Sequence, residues 1–100
     1  MATIEWIPTS GTNSFNTAAN WQGGVVPGVN DIAEFGNDHG YTVSGSATVG
    51  EIEVTVDTNV ALTGAIATSG TQSNELLVSD AFLTIANGAA VTDNGLAAVT

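Results

Sequence analysis

Glu51 and Glu53 are the pair of carboxylates whose spacing first suggests chemistry. They are two residues apart in an alternating stretch, so in a β-strand both face the same way, roughly 6–7 Å apart. That separation suits the paired carboxylates of a glycosidase in principle. Catalytic carboxylates normally come from separate segments that line a cleft, and Ile52 and Val54 alternate with this pair as a buried face would. We therefore interpret the pair as the solvent face of a strand.

His39 is the only histidine, and it directly follows Asp38. A Ser-His-Asp triad would have to combine His39 with Asp38 or Asp31, but the chain contains no Gly-x-Ser-x-Gly nucleophile elbow. Asn37 and Gly40 flank the Asp-His pair, which favours a solvated loop. We predict that the protein is not an enzyme and that it uses no organic cofactor.

Asp and Asn residues cluster in the predicted turns, as the oxygen ligands of a hard cation would. The chain has no cysteine, so it has no thiolate site, and neither the EF-hand spacing nor the glycine-rich calcium repeat occurs. Calcium is the ion that such a set of oxygens would take. Asp31 and Asp38 are the first candidate ligands, and the turns concerned are Asn30-Asp31, Asn37-Asp38, Asp57-Thr58-Asn59, Ser79-Asp80 and Asp93-Asn94.

The charge of the chain narrows its range of partners. Lys and Arg number zero, Asp and Glu number ten, and the formal net charge is −10. Nucleic-acid binding needs cations that displace counterions, anionic lipid attracts basic surfaces, and phosphate clamps use Lys or Arg. We therefore exclude nucleic acid as a partner, and no apolar run is long enough for membrane insertion. The partners that remain are neutral, cationic or a second copy of the chain.

The composition also bears on where the protein works. Charged residues make up only 10% of the chain, Gly numbers 12, and Thr, Ser and Asn are frequent, as on exposed β structure. The N-terminus lacks the basic and apolar segments of a cleaved signal peptide. We expect an extracellular or cell-surface protein that is exported by a route without a visible cleaved signal peptide.

The amino-acid composition of the chain changes near residue 40, and this change suggests how the candidate residues are positioned. Residues 1–40 hold both tryptophans and both prolines, whereas residues 41–100 are mostly small and β-branched. We predict an N-terminal capping region over residues 1–40 and β repeats over residues 41–100, within a single domain. The predicted strands are Tyr41–Val43, Val49–Val56, Val60–Leu62, Leu76–Val78, Phe82–Ile85, Val91–Thr92 and Leu96–Val99.

The later strands contain a loose internal repeat. Ala61-Leu62-Thr63 is repeated in similar form as Phe82-Leu83-Thr84, 21 residues later, and Val54 recurs as Val78, 24 residues later. A drifting period of about 21–24 residues with short strands indicates a solenoid whose apolar side chains stack in ladders. We predict an all-β fold, a short right-handed parallel β-solenoid (β-helix) with an N-terminal aromatic cap. A β-sandwich is the alternative.

The N-terminal region carries the most specific motif. Its residues are Trp6, Ala18, Asn20, Trp21, Gly24, Pro27, Asp31, Ala33 and Phe35, followed by Tyr41-Thr42-Val43. This motif resembles the opening of bacterial passenger-type parallel β-helix proteins, which are secreted adhesin-like and autotransporter-like chains. The resemblance covers residues 6–43 and departs at Phe15, where a second Trp is common in the family. It implies a β-helix fold and secretion.

A stack of repeats exposes strand edges and an open apolar cross-section at each end. Trp6, Phe15, Trp21 and Phe35 can close the N-terminal end, and we favour this over an exposed Trp6 or Trp21 platform for sugar. The last residues, 95–100, contain no aromatic side chain that could close the other end. Either the chain is a fragment of a longer solenoid, or this end is used for contact with another copy, and the functional prediction follows from the second explanation.

The resulting functional prediction is an extracellular structural protein that assembles head-to-tail into a filament or surface coat. Leu96, Ala97 and Val99 are the predicted donor strand, and Trp21 and Phe35 are the predicted acceptors on the next copy. The alternative is the N-terminal module of a secreted adhesin that binds a cell surface or a glycan. A carbohydrate-binding domain that uses Trp6 or Trp21 is a third possibility.

Overall fold

Short runs of β-branched and apolar residues, separated by Gly and Asx turns, fold into β-strands, twelve of which lie in the part of the chain that the structure describes. The computed structural model describes residues 2–69, 76–92 and 97–99. These residues contain no α-helix, and the prediction of an all-β fold is confirmed. The strands are β1 (Thr3–Glu5), β2 (Thr12–Ser14), β3 (Ile32–Phe35), β4 (Gly40–Ser44), β5 (Ala47–Val49), β6 (Glu51–Val54), β7 (Asn59–Leu62), β8 (Ala65–Thr68), β9 (Leu76–Val78), β10 (Phe82–Ile85), β11 (Ala90–Thr92) and β12 (Ala97–Val99).

The strands form three parallel sheets. Sheet 1 has the order β1-β3-β6-β9-β12, sheet 2 the order β2-β4-β7-β10, and sheet 3 the order β5-β8-β11. From β3 onwards the chain visits sheets 1, 2 and 3 in turn and then returns to sheet 1. All strand pairs among the described residues are parallel, so the antiparallel hairpins of a β-sandwich do not form there.

Apolar side chains on neighbouring strands lie in register and make the core. In sheet 1, Ala33, Ile52 and Leu76 are aligned on β3, β6 and β9, which are successive strands of the sheet. Each strand alternates, so the residues between these positions face outward. The aligned positions on the three sheets converge on a single core cluster.

The internal repeat predicted from the sequence is partly correct. Val54 and Val78 are register partners on β6 and β9, as their echo in the sequence predicted. Leu62 instead pairs with Ile85, so its echo by Leu83 is not the true alignment. Ile85 lies two residues after Leu83, on the same face of β10. The residue aligned with Leu62 is therefore still an apolar one that faces the core.

Two predicted strands, Leu76–Val78 and Phe82–Ile85, have the predicted bounds. The predicted strand Val49–Val56 is divided between β5 and β6, which lie in different sheets. Gly50 lies between β5 and β6, where the backbone passes very close to Asp31. A Cβ at position 50 would lie 2.6 Å from the carbonyl oxygen of Asp31. Only glycine allows the backbones to approach so closely.

Residues 1–40 contribute strands as well as a cover. β1, β2 and β3 pair with each other or with later strands of sheets 1 and 2. The segment between β2 and β3 holds two 3₁₀ turns, Ala18–Asn20 and Gln22–Gly24, and bonds to both ends of β5. The Asn16 amide donates to the Ser46 carbonyl at 3.0 Å, and the Gly50 N–H donates to the Gly28 carbonyl at 3.1 Å. The two predicted regions therefore share one core.

Candidate functional site

Five aromatic rings pack together around the first turn of the chain: those of Trp6, Phe15, Trp21, Phe35 and Tyr41. The Trp6 and Trp21 ring centroids are 5.0 Å apart and edge to face, those of Phe15 and Trp21 are 4.9 Å apart, and Trp6 stacks on Tyr41 at 6.0 Å. All five side chains are buried. Edge-to-face and offset pairs of this kind add to the stabilisation that burial of the rings provides.

Hydrogen bonds hold the connecting segment against this cluster. The Trp21 Nε1–H donates to the Phe15 carbonyl at 2.7 Å, and the Asn20 amide donates to the Ser14 carbonyl at 2.9 Å. The Ile7 N–H donates to the Asn20 carbonyl at 2.9 Å. Asn20 and Trp21 of the sequence motif thus fix the segment in place.

Burial of the cluster corrects two expectations about its side chains. Trp21 and Phe35, the predicted acceptors for a second copy, are each 1% exposed, so their rings pack inside the core and offer no contact surface. Trp6 is 3% exposed, which leaves neither indole free to stack on a sugar. Any contact with another molecule has to use strand edges or other side chains.

Tyr41 and Asn37 lie on the sheet 2 side of the cluster. Burial raises the pKa of the Tyr41 phenol well above its usual range, and the Asn37 side chain offsets only part of that shift. The phenol therefore stays neutral at physiological pH. The Asn37 amide donates to the Pro8 carbonyl at 3.2 Å, which ties the turn before β4 to the chain after β1.

Three glutamates are stacked in register on adjacent strands of sheet 1. Glu5 on β1 pairs with Glu34 on β3, and Glu34 pairs with Glu53 on β6. Burial raises the pKa of Glu34, and so do a side-chain hydrogen bond with Glu5 and the charges of Glu5 and Glu53. Glu51, predicted to share a solvent face with Glu53, is only 7% exposed. We call Glu5, Glu34 and Glu53 the glutamate stack.

The two predicted calcium ligands are placed apart. Asp31 precedes β3 and Asp38 follows it, and a four-residue strand alone spans roughly 13 Å. The Asp31 carboxylate accepts from the Gly28 N–H at 2.8 Å and from the Ala2 N–H at 3.3 Å, so it closes a turn. The Asp38 N–H donates to the Thr58 hydroxyl at 3.1 Å. Within the described ranges, no three His, Asp or Glu side chains converge as metal ligands would.

The far end of the stack of strands is apolar and open. In sheet 2, Val43, Leu62 and Ile85 are register partners that face the core, with exposures of 1%, 1% and 49%. The exposure rises at Ile85 because β10 is the outer strand of sheet 2. We call the outer strands β10, β11 and β12 the open end.

The residues predicted for assembly lie at this open end. Ala97 and Val99 belong to β12, which pairs with β9 and is the outer strand of sheet 1. Leu96 lies outside the described residues. Ile85 was not among the residues predicted for assembly, although its position at the end of the predicted strand Phe82–Ile85 is a signal of the same kind.

The open end and the glutamate stack thus lie on the surface of the described part of the chain. Among the residues that the structure describes, no helix is long and apolar enough to cross a membrane. Comparisons with protein-family models, with curated proteins and with solved structures found no match to this chain.

Proposed function

We propose that the protein is a structural module that assembles head-to-tail with copies of itself. The observation that carries this proposal is the rise in exposure along Val43, Leu62 and Ile85, from 1% to 49%. A further turn of chain laid on β10 would cover Ile85 as β10 covers Leu62. Burial of the exposed half of an isoleucine contributes about 1 kcal/mol, and each further apolar side chain at the open end adds to it.

The architecture proposed for the assembly is a parallel β-solenoid whose turns continue from one copy to the next. Its support is the order in which the chain visits the three parallel sheets, together with the in-register pairing of each turn with the next. The resemblance of the N-terminal motif to passenger-type β-helix proteins points the same way. In such a stack each outer strand presents unpaired N–H and C=O groups to a partner strand.

The opposite edges of sheet 1 suit a head-to-tail contact. β12 is one outer strand and β1 is the other, and the register used throughout the sheet would set Glu5 of the next copy opposite Ala98. The glutamate stack is followed on β9 and β12 by Leu77 and Ala98, which are uncharged. These two positions would separate the glutamates of adjacent copies.

A filament or surface coat outside the cell is the setting that we propose for this assembly. The Thr-, Asn- and Gly-rich composition and the resemblance to secreted chains support it. With a net charge of −10, copies repel each other, so salt or calcium should strengthen stacking by screening.

The proposal is tested by negative-stain microscopy and sedimentation velocity of the purified chain. We expect filaments at 0.15 M NaCl, where the Debye length is about 8 Å, and fewer at 0.01 M, where it is about 30 Å. Ile85→Asp should disperse them, because it places a charge at the open end. Val25→Asp is the matched control, since Val25 is 55% exposed in the segment between β2 and β3.

Three outcomes would contradict the proposal. The first is a folded wild-type chain that stays monomeric at both salt concentrations, and that result would favour the adhesin-module alternative. The second is an assembly that dissolves when salt is added. The third is equal loss of filaments in Ile85→Asp and Val25→Asp.

A further inference from the structure

A shallow cleft of about 400 Å³ lies on the outer face of sheet 2, and none of the side chains proposed above for assembly lines it. Its lining is polar and carries no charged side chain. β2 begins at Thr12, opposite Thr42 on β4, and the Thr42 N–H donates to the Gly11 carbonyl at 2.9 Å. The lining residues are Gly11, Thr12, Gly40, Tyr41, Thr42 and Asn59.

The absence of a side chain at Gly40 shapes this cleft. Gly40 is paired with Asn59 on β7, and a Cβ at Gly40 would lie 3.8 Å from the Cβ of Asn59, an ordinary contact. A larger residue would therefore fit the strand but fill the space beside Asn59. The backbone at position 40 does not require glycine. A substitution at Gly40 can therefore fill the cleft without disturbing the strand.

An exposed aromatic ring stands next to the cleft. Phe82 on β10 is the register partner of Asn59, so Gly40, Asn59 and Phe82 form one outward-facing row across three strands. Phe82 is 68% exposed, more than any other large apolar residue on the described surface. From β2 to β10 the row and cleft extend over three strand spacings, about 14 Å.

We propose that the cleft and Phe82 bind a neutral oligosaccharide. The hydroxyls of Thr12 and Thr42 and the amide of Asn59 can each donate and accept hydrogen bonds, as sugar hydroxyls require. The electron-rich face of the Phe82 ring attracts the weakly positive C–H groups of a sugar face. The net charge of −10 disfavours anionic glycans.

This inference does not depend on the proposed assembly. The site shares β10 with the open end but uses different side chains: Phe82 lies in the outward-facing row with Asn59, whereas assembly uses Ile85, which pairs with the core residue Leu62, and the strand edges. Binding can therefore be measured on Ile85→Asp, whose charge at the open end should hold the chain as a monomer. Loss of filaments would leave the glycan result unaffected, and loss of glycan binding would leave the filaments unaffected.

The test is a titration of ¹⁵N-labelled Ile85→Asp with cellopentaose, maltopentaose and mannopentaose, followed by amide chemical shifts. We expect at least one of these sugars to shift the amides of Thr42 and Asn59 in a saturable way. Trigalacturonate, which is anionic, should shift them at least tenfold more weakly. Tryptophan emission should not change, because both indoles are buried.

Two variants locate the site. Phe82→Ala should weaken binding about tenfold, and Gly40→Val should abolish it while the thermal unfolding temperature stays the same or rises. Thr48→Ala and Val25→Ala are matched controls on sheet 3 and on the segment between β2 and β3, and both should bind as the parent does. The inference is overturned if none of the three neutral sugars shifts these amides, or if Gly40→Val, folded, binds them unchanged.

Discussion

Glu5 and Glu34 lie opposite each other as register partners on β1 and β3. A proton on one of the two carboxyl groups would let it donate a hydrogen bond to the other. Burial is the largest cause of the raised pKa of Glu34, the hydrogen bond with Glu5 comes next, and the charges of Glu5 and Glu53 add to it. The chain has no Lys or Arg that could neutralise this stack. The Glu34 carboxyl therefore holds a proton more tightly in the folded state than in the unfolded chain.

This difference predicts the direction in which stability changes with pH. Because the pKa of Glu34 is raised in the folded state, the free energy of unfolding should fall as pH rises from the ordinary value of 4.5 through the raised pKa. Glu34→Gln can still donate to Glu5 but carries no charge, so it should reduce this slope. At pH 7 it should stabilise the protein by about 0.2–1 kcal/mol, the range for cross-strand pairs.

Urea unfolding of both proteins between pH 4 and pH 8 measures this effect. Asp80→Asn is the control, because Asp80 is an exposed acid in a turn with a positive φ that asparagine also accepts. It should change the slope less than Glu34→Gln does. Equal slopes for wild type and Glu34→Gln would show that the stack does not hold a proton.

The aromatic cluster predicts unequal effects for two phenylalanines. The Phe35 ring lies 5.6 Å from Trp6, 5.5 Å from Trp21 and 6.4 Å from Tyr41, whereas Phe82 is 68% exposed. Phe35→Ala should lower the free energy of unfolding by about 3–5 kcal/mol, because it leaves a cavity among the rings. Phe82→Ala should change it by less than about 0.5 kcal/mol. Chemical denaturation followed by far-UV circular dichroism compares them.

Gly64 and Gly45 stack where the turns of the chain pass from sheet 2 to sheet 3. A Cβ at Gly64 would lie 2.0 Å from the Gly45 carbonyl oxygen, so Gly64→Ala forces the two backbones apart. The expected loss of stability is about 1–3 kcal/mol or more. Gly40→Ala is the matched control in a strand, and it should gain about 0.5 kcal/mol because glycine weakens strands. Thermal unfolding that ranks Gly64→Ala at or above Gly40→Ala would contradict this account.

Val56 adopts a backbone conformation that β-branched residues rarely enter. Its φ is +54°, and its side chain is 58% exposed, so little burial offsets the strain. Val56→Asn should therefore raise the free energy of unfolding by about 1 kcal/mol. Val25→Asn is the control, since Val25 is as exposed but has an extended φ of −129°. Differential scanning calorimetry should show a higher unfolding temperature for Val56→Asn alone.

The later strands were predictable because their alternation and turn residues are local signals. β9 and β10 have the predicted bounds, and the echo of Val54 by Val78 correctly gave the register of β6 with β9. β8 was missed because Ala65–Thr68 alternates small residues with a single large one, Ile66. β3 was missed because it lies within the aromatic motif, whose residues were interpreted as a cover.

Features that depend on register between distant strands could not be derived from the sequence. The members of the glutamate stack are far apart and unevenly spaced along the chain, so no regular period relates them. The composition shows that Trp21 and Phe35 are bulky and apolar, but not that the strands around them enclose both rings. The hydrogen bonds of Asp31 and the cleft beside Gly40 also depend on which distant segments lie side by side. The alternation of apolar and polar residues does not show this.

Within residues 2–69, 76–92 and 97–99, each strand pairs in parallel with the strands next to it in its own sheet. If these strands form the β-solenoid that we propose, stability is a sum of contacts between neighbouring turns, and the last turn can open while the first turns remain folded. Amide hydrogen exchange should then be slowest in β3 and β6, beside the aromatic cluster, and fastest in β10 and β11. Unfolding would proceed along the stack from one end, with the aromatic rings as the last part to open.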